Sequence, residues 1–323
     1  MTVAGVALRD YSHPGSTEQY YPDTADPIDR WFQASFSANA RTVERVIVDV
    51  FGGTPRQIVD PFCGAGSTAV AARRLQVPFL GIELDPILAE ISRLKLSLSV
   101  DDLPLVASVL PSSVSVDWLM GILPTVMPRC VVGAALVGIL AGRPRELKSS
   151  ELLSLLSAGL LSTTDPTSQS GINCADSRRT EGWEGAQAVQ GTVVFASPPF
   201  CDSDVGQWED AVALCNISQL REVIATEVWK HPLRSVAPKE EDSIRLICSV
   251  LTAGRQACSE FLSIVEYEDT SGEMLSIGSV VAALNALPGM EVIEVLRTGN
   301  FSGKATLFEI IAESRANNGG VDG

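Results

Sequence analysis

The stretch Asp60–Ser67, which reads DPFCGAGS, decides the fold of this chain. The mostly apolar run Gln57–Val59 precedes it, and a helix-forming segment, Ser67–Leu75, follows its two glycines. A second apolar run, Val77–Ile82, ends in the acid Glu83. These patterns predict a strand, a tight turn, a helix and a second strand, which is the β-α-β arrangement of a nucleotide-type site.

The turn itself indicates what kind of ligand it accepts. Gly64 and Gly66 allow the backbone to approach a ligand, and the following helix N-terminus offers free N–H groups. The dinucleotide pattern G-x-G-x-x-G is not met, because Ala69 stands where the third glycine is required. Asp60 would repel a phosphate but attract a cationic ligand, and Glu83 is placed to accept from ribose hydroxyls. S-adenosylmethionine, with its sulfonium, ammonium and adenosine groups, fits these features.

A second motif lies far downstream. The apolar run Thr192–Ala196 ends in the tetrapeptide Ser197–Phe200, which reads SPPF. Together with DPFCGAGST at Asp60–Thr68 and GIELDP at Gly81–Pro86, it resembles the motifs of the DNA amino-methyltransferases, which modify exocyclic amines of cytosine or adenine. That resemblance implies a class I methyltransferase that transfers a methyl group directly from S-adenosylmethionine to an exocyclic base amine.

The resemblance also implies roles for individual residues. Ser197 Oγ and the Pro198 carbonyl would accept hydrogen bonds from the acceptor amine, and Phe200 would stack on a flipped base. A leading serine favours cytosine N4 in DNA as the acceptor. The expected catalytic residues are Ser197, Pro198, Pro199 and Phe200. The expected cofactor-binding residues are Asp60, Pro61, Phe62, Gly64, Gly66, Ser67, Thr68, Glu83 and Asp176. Asp176 would accept from the adenine amine, although a simple helix cap is a close competitor.

The acceptor is less firmly indicated than the cofactor. A net charge of −15 opposes the phosphate attraction on which nucleic-acid binding depends, unless a local basic cleft or a basic partner subunit offsets it. Adenine N6, RNA, a protein amide and a small amine therefore stay open as acceptors. A further alternative is a degenerate methyltransferase that serves as a binding subunit. DNA is the first expectation for the partner, within a site-specific restriction-modification role, and RNA is the second.

Composition predicts a cytoplasmic protein without a metal centre. The 7 cysteines form no C-x-x-C pair, and 2 histidines are too few for a histidine-rich metal site. The apolar stretch Leu119–Ala141 is interrupted by prolines and an arginine, which favours a buried helix over a membrane span. The start of the chain has no signal-peptide pattern. Cys63 and Cys201 are interpreted as ordinary thiols, because direct transfer needs no covalent adduct.

The order of patterns predicts an α/β fold: an open, mostly parallel, Rossmann-like sheet with a C-terminal antiparallel hairpin and a helical insertion. We expect an N-terminal extension over residues 1–39 and a flexible tail over 316–323. The cofactor-binding half of the methyltransferase domain covers 40–100, and the acceptor-binding half covers 172–315. A mostly helical insertion, 101–171, separates the two halves.

Overall fold

The architecture was obtained from a computed structural model of the chain. It describes residues 2–11, 28, 31–32, 39–123, 125, 127–141, 147–161, 167, 169–186, 190–198, 220, 222–224, 226, 243–258, 260–270, 277–301 and 305–315. In chain order, its strands and helices are β1 (Thr2–Val3), β2 (Val6–Asp10), α1 (Ala40–Phe51), β3 (Gln57–Asp60), α2 (Ser67–Leu75), β4 (Phe79–Glu83), α3 (Pro86–Ser97), α4 (Leu103–Val109), α5 (Val116–Ile122), α6 (Arg129–Ala141), α7 (Ser149–Leu160), β5 (Gly171–Cys174), β6 (Thr192–Ala196), α8 (Ser243–Ala257), β7 (Phe261–Thr270), α9 (Ile277–Asn285), β8 (Met290–Phe301) and β9 (Ala305–Ser314).

The strands of the described ranges form one sheet in the order β1-β2-β8-β9-β7-β6-β3-β4-β5. The five strands from β7 to β5 are mutually parallel, and β9 runs antiparallel to both of its neighbours, β7 and β8. α-Helices lie in the connections from β3 to β4, from β4 to β5 and from β6 to β7, as is usual between parallel strands. The expected open, mostly parallel sheet with a C-terminal antiparallel hairpin is confirmed.

Local sequence explains where the helices that frame the first turn begin and end. Asn39 caps α1 by accepting from the backbone N–H groups of the next turn, and Gly52 ends the helix in the left-handed conformation that glycine tolerates. Asp85 caps α3 in the same way, with Pro86 in the first helical position. Asp85 is therefore the N-cap of α3.

The sheet is covered on both faces. One face packs against α1 and α2 through side chains such as Ile58, Phe195 and Ile264, and the other packs against α8 and α9 through Val194 and Val265. A third apolar cluster joins α3 to the insertion helices α4–α7. The predicted helical insertion is thus present as a set of helices that share one apolar cluster with α3.

The N-terminal segment, which the sequence analysis describes as an extension, adds strands β1 and β2 to the sheet. β2 pairs in parallel with β8, and β1 folds back against β2, so both extend the sheet at its C-terminal-hairpin edge. The sequence pattern of these residues did not predict strands, because β2 is short and its partner lies near the other end of the chain. Trp31 is fully buried, and its indole N–H donates to the Leu155 carbonyl of α7.

Candidate functional site

The turn between β3 and α2 is built around a buried carboxylate. Asp60 is only 2% exposed, and its Oδ1 accepts from the backbone N–H of Phe62 at 2.9 Å. The Thr68 side chain makes a second hydrogen bond to it. Asp60 is thereby fixed at the carboxyl end of a central strand, where ligands of open α/β sheets bind.

The two glycines of this turn have a steric reason to be glycine. Gly64 and Gly66 have φ values of 52° and 87°, the left-handed region that other residues avoid. A Cβ on Gly66 would also lie 2.9 Å from Ser92 Oγ and 3.0 Å from Ser92 Cα. Ser92 Oγ in turn donates to the Gly64 carbonyl at 2.6 Å. The turn therefore packs directly on α3, with no room for a side chain.

The helix that follows begins at Ser67 without a side-chain cap. Ser67 and Thr68 are both buried in its first turn. An uncapped first turn leaves backbone N–H groups and the positive end of the helix dipole beside the turn. Pro61 is buried, and Phe62 is half-buried against the apolar cluster beneath α8 and α9. All the predicted cofactor residues from Asp60 to Thr68 thus belong to one continuous turn.

Glu83, at the end of β4, is tied to the same turn. Its Oε2 accepts from the backbone N–H of Gly64 at 2.7 Å, and its Oε1 accepts from that of Asp85 at 2.8 Å. Each carboxylate oxygen has a second lone pair that remains able to accept from a ligand hydroxyl. The arrangement brings Asp60 and Glu83 to one edge of the sheet, because β3 and β4 are parallel neighbours.

Burial sets the charge state of both acids. It raises the pKa of Asp60 to about 7, against hydrogen bonds from Thr68 and Phe62 that lower it. Burial likewise raises the pKa of Glu83 to about 7. No basic side chain among the described residues contributes to either shift. A buried aspartate and a half-buried glutamate without a basic partner among those residues form a site that a cationic ligand would stabilise.

The second motif begins on the next strand of the sheet. β6 pairs with β3 in parallel, and Ser197 and Pro198 follow directly after its last residue, Ala196. Ser197 is half-buried and Pro198 is buried. Pro199 and Phe200 lie outside the described residues. The structure thus brings the start of the second motif to the same edge of the sheet as Asp60, on the neighbouring strand.

Two acids that the sequence analysis missed lie beside Ser197. Glu266 on β7 and Glu309 on β9 face each other directly across an antiparallel pair of strands, and both are buried. Ser197 forms a side-chain hydrogen bond with Glu266. The signal was available, because each glutamate interrupts an otherwise apolar strand segment. Their pairing could not be predicted, since it depends on the register between two strands about forty residues apart.

Asp176 follows β5 and is engaged by a neighbouring arginine. Its Oδ1 accepts from the backbone N–H and Nε of Arg178, and its Oδ2 accepts from Nη2 of the same residue. Partial burial alone would raise the pKa of Asp176, but the hydrogen bonds and charge of Arg178 outweigh it and hold the pKa below its usual value. Asp176 is therefore an ionised acceptor at the end of a strand next to β4, and its cofactor role stays a prediction.

Two properties of the described residues bear on other classes of function. No helix there is long and apolar enough to cross a membrane. In the same ranges, no group of three or more histidine, cysteine, aspartate or glutamate side chains has the geometry of a metal site. Burial raises the pKa of the Cys63 thiol well above its usual value, which disfavours the thiolate that a nucleophile requires.

Comparison with known proteins gives a likeness of fold. No protein-family model and no curated sequence matches the chain. Among solved structures, it is similar to magnesium protoporphyrin IX methyltransferase from Synechocystis PCC 6803, a structure with bound S-adenosylmethionine. The two chains share 8% identity over 91% of this chain and 94% of that one, with a TM-score of 0.39. A likeness this weak assigns neither an activity nor a ligand to the chain.

Proposed function

We propose that this protein is an S-adenosylmethionine-dependent methyltransferase that acts on an exocyclic base amine, with cytosine N4 in DNA as the first candidate acceptor. The observation that supports the proposal best is the placement of two motifs on neighbouring parallel strands. Asp60 is the last residue of β3 and Ser197 follows β6, so both lie at the carboxyl edge of the sheet. A cofactor and its acceptor have to meet at such an edge.

The residues of the first motif fit the cofactor on independent grounds. Asp60 and Glu83 are acids at a ligand-binding edge without a basic partner among the described residues, and a ligand with ammonium and sulfonium charges supplies that partner. Gly66 lets the turn pack directly on Ser92 of α3, which fixes the position of the residues around it. In this proposal Asp60 holds the ammonium group, Glu83 accepts from the ribose hydroxyls and Asp176 accepts from the adenine amine. The cofactor, when bound, supplies an electrophilic methyl group.

The residues of the second motif fit an amine acceptor. An exocyclic base amine is a weak nucleophile, because its lone pair is delocalised into the ring. Ser197 Oγ and the Pro198 carbonyl would accept hydrogen bonds from its two N–H groups and so localise that lone pair on the nitrogen. Phe200, which would stack on the base, completes the motif in sequence. Positioning of the amine by these groups then accounts for much of the rate.

One observation favours a different acceptor. The net charge of −15 disfavours a polyanion, so RNA and DNA both require a local basic surface or a basic partner subunit. A protein amide or a small amine has no such requirement. The alternative of a degenerate binding subunit is disfavoured by the intact Asp60, Gly66 and Ser197.

The test is transfer of a labelled methyl group to separate DNA, RNA, protein and small-molecule fractions, followed by digestion of the labelled product. We expect N4-methylcytosine in DNA. Replacing Ser197 and Pro198 together with alanine should lower transfer at least about a hundredfold, as loss of a preorganised hydrogen-bonding group does in other enzymes. Cofactor affinity should not change.

A matched control is Ser108→Ala, which removes an exposed hydroxyl that only contacts a carbonyl of its own helix. This variant should transfer at the wild-type rate. Label confined to protein or small molecules would overturn the DNA acceptor, and full transfer by the Ser197/Pro198 variant would overturn the acceptor site.

A further inference from the structure

The feature that the proposed function leaves unused is the carboxyl pair Glu266 and Glu309. The two residues are 2% and 0% exposed and occupy directly opposed positions of β7 and β9. Val265 is the register partner of Ala196, so Glu266 lies next to the position of Ser197. The pair is therefore buried at the carboxyl edge of the sheet, beside the first residue of the second motif.

A hydrogen bond between the carboxyl groups of Glu266 and Glu309 requires that one of them holds a proton. Both oxygens of Glu309 and Oε2 of Glu266 lack a donor among the described residues. Ionised carboxylates are acceptors only, so two ionised groups here would leave buried charges facing each other. One proton held by Glu309 makes it a donor to Glu266. Burial raises the pKa of both groups, and the charge of Glu266 raises that of Glu309 further.

The Ser197 hydroxyl completes the arrangement. It has one proton, and its hydrogen bond to Glu266 favours the ionised form of that carboxyl. Donation to Glu266 commits the only hydroxyl proton, so both lone pairs of Ser197 Oγ face other partners as acceptors. An acceptor is what the proposed reaction requires at this position, because the substrate amine has N–H bonds to donate.

We propose that Glu266, supported by a protonated Glu309, is a positioning residue that holds Ser197 as a hydrogen-bond acceptor and takes up the proton that the methylated amine releases. This inference rests on the proposed function. After the N–C bond forms, the nitrogen carries one proton too many. That proton passes to Ser197 Oγ as the hydroxyl proton passes to Glu266, which becomes a neutral carboxylic acid. No electrons are exchanged, and the proton later leaves to solvent.

The proposal has a competitor, which is a purely structural carboxyl pair. Such a pair would contribute to folding, and its replacement by neutral side chains would be neutral or stabilising without any effect tied to Ser197. The other described group whose charge acts on this region is Asp60, from β3. The charges of Asp60 and Glu266 each oppose ionisation of the other, so Glu266→Gln also lowers the pKa of Asp60. The comparison of wild type with Ser197→Ala keeps both acids in place.

The first test follows the glutamate carboxyl groups by NMR with ¹³C-labelled side chains, and it needs no acceptor. Glu266 and Glu309 are assigned from Glu266→Gln and Glu309→Gln, and the pH titration is repeated in Ser197→Ala. Loss of the hydroxyl donor should raise the pKa of Glu266. Glu313→Gln is the matched control, since Glu313 lies on β9 but is partly exposed and paired with Arg315. An unchanged Glu266 titration in Ser197→Ala would overturn the inference even if the enzyme transfers methyl groups.

The second test measures methyl transfer against pH. Wild-type kcat should rise with pH as Glu266 ionises. In Glu266→Gln this rise should be absent, and kcat should be about tenfold to a hundredfold lower with little change in KM. Glu309→Gln keeps an N–H donor opposite Glu266, so kcat should fall less in this variant than in Glu266→Gln. A wild-type pH profile in Glu266→Gln would overturn the inference. Absence of transfer by the wild-type protein to any acceptor would instead overturn the proposed function and leave the NMR test to decide the Ser197–Glu266 coupling.

Discussion

The two regions that border the candidate site differ in how the oxygens of their acids are hydrogen-bonded. At the ends of β3 and β4, Asp60 and Glu83 accept from backbone N–H groups of their own turns. Beside the end of β6, Glu266 and Glu309 face each other, with only a serine hydroxyl as a described donor. The first arrangement leaves two acids that a cationic ligand would hold in the ionised form. The second holds a proton, which suits a site where a proton has to be accepted.

The largest expected loss of stability comes from the turn of the first region. Gly66→Ala would force a side chain into the left-handed backbone conformation and into Ser92, with a Cβ contact of 2.9 Å. We expect a loss of about 2 kcal/mol or more in the free energy of unfolding, together with loss of S-adenosylmethionine binding. Chemical denaturation and calorimetry measure the two quantities.

A glycine elsewhere provides the control for that substitution. Gly121 lies exposed in α5, and a Cβ there meets nothing within 4 Å. Gly121→Ala should be neutral or stabilise by about 0.5–1 kcal/mol, because alanine is the better helix former. If Gly66→Ala behaved like Gly121→Ala, the close packing of the turn on α3 would be wrong.

The contrast between the two regions also explains what the sequence could predict. The β3–α2–β4 unit and the C-terminal hairpin were predicted, because strand, turn and helix patterns there are local. Glu266 and Glu309 were missed, since their contact depends on the register of a long-range strand pair. The same reason hid β2, whose partner β8 is almost three hundred residues away. Most candidate cofactor residues were within reach of sequence reasoning, because they belong to one continuous turn.

Asp60→Asn should separate ligand binding from stability. The pKa of Asp60 rises from 3.8 to about 7 on folding, so the folded state binds the proton more tightly than the unfolded one. The contribution of Asp60 to the unfolding free energy of the ligand-free protein is therefore largest below pH 4, and it falls as the pH rises to about 7. Asparagine does not ionise, so the variant should exceed the wild type by up to about 4 kcal/mol at pH 8 and differ little at pH 4.

The same variant should bind the cofactor at least about tenfold more weakly, since the ammonium group loses its charged partner. Wild-type affinity should rise with pH up to about 7, as Asp60 ionises, and the variant should lose the part of that rise due to Asp60. Asp117→Asn is a suitable control, because Asp117 is an exposed residue of the insertion helix α5. Equal stability of Asp60→Asn and wild type at pH 4 and pH 8 would contradict the burial of an ionisable group at this position.

The smallest expected effect concerns Asp176. If its carboxylate accepts from the adenine amine, Asp176→Asn should weaken cofactor binding about fivefold, the value of one hydrogen bond of about 1 kcal/mol. Glu181→Gln, an exposed acid in the short turn that follows, should have no effect. An equal affinity in both variants would show that Asp176 serves only to hold Arg178.

The most direct test of the division between the two regions is the S-adenosylmethionine dissociation constant, measured by calorimetry for the wild type, Asp60→Asn and Glu266→Gln at pH 7.5. The account predicts measurable binding by the wild type, a loss of at least about tenfold in Asp60→Asn and a change of less than about threefold in Glu266→Gln. No binding by the wild type, or equal losses in the two variants, would contradict it.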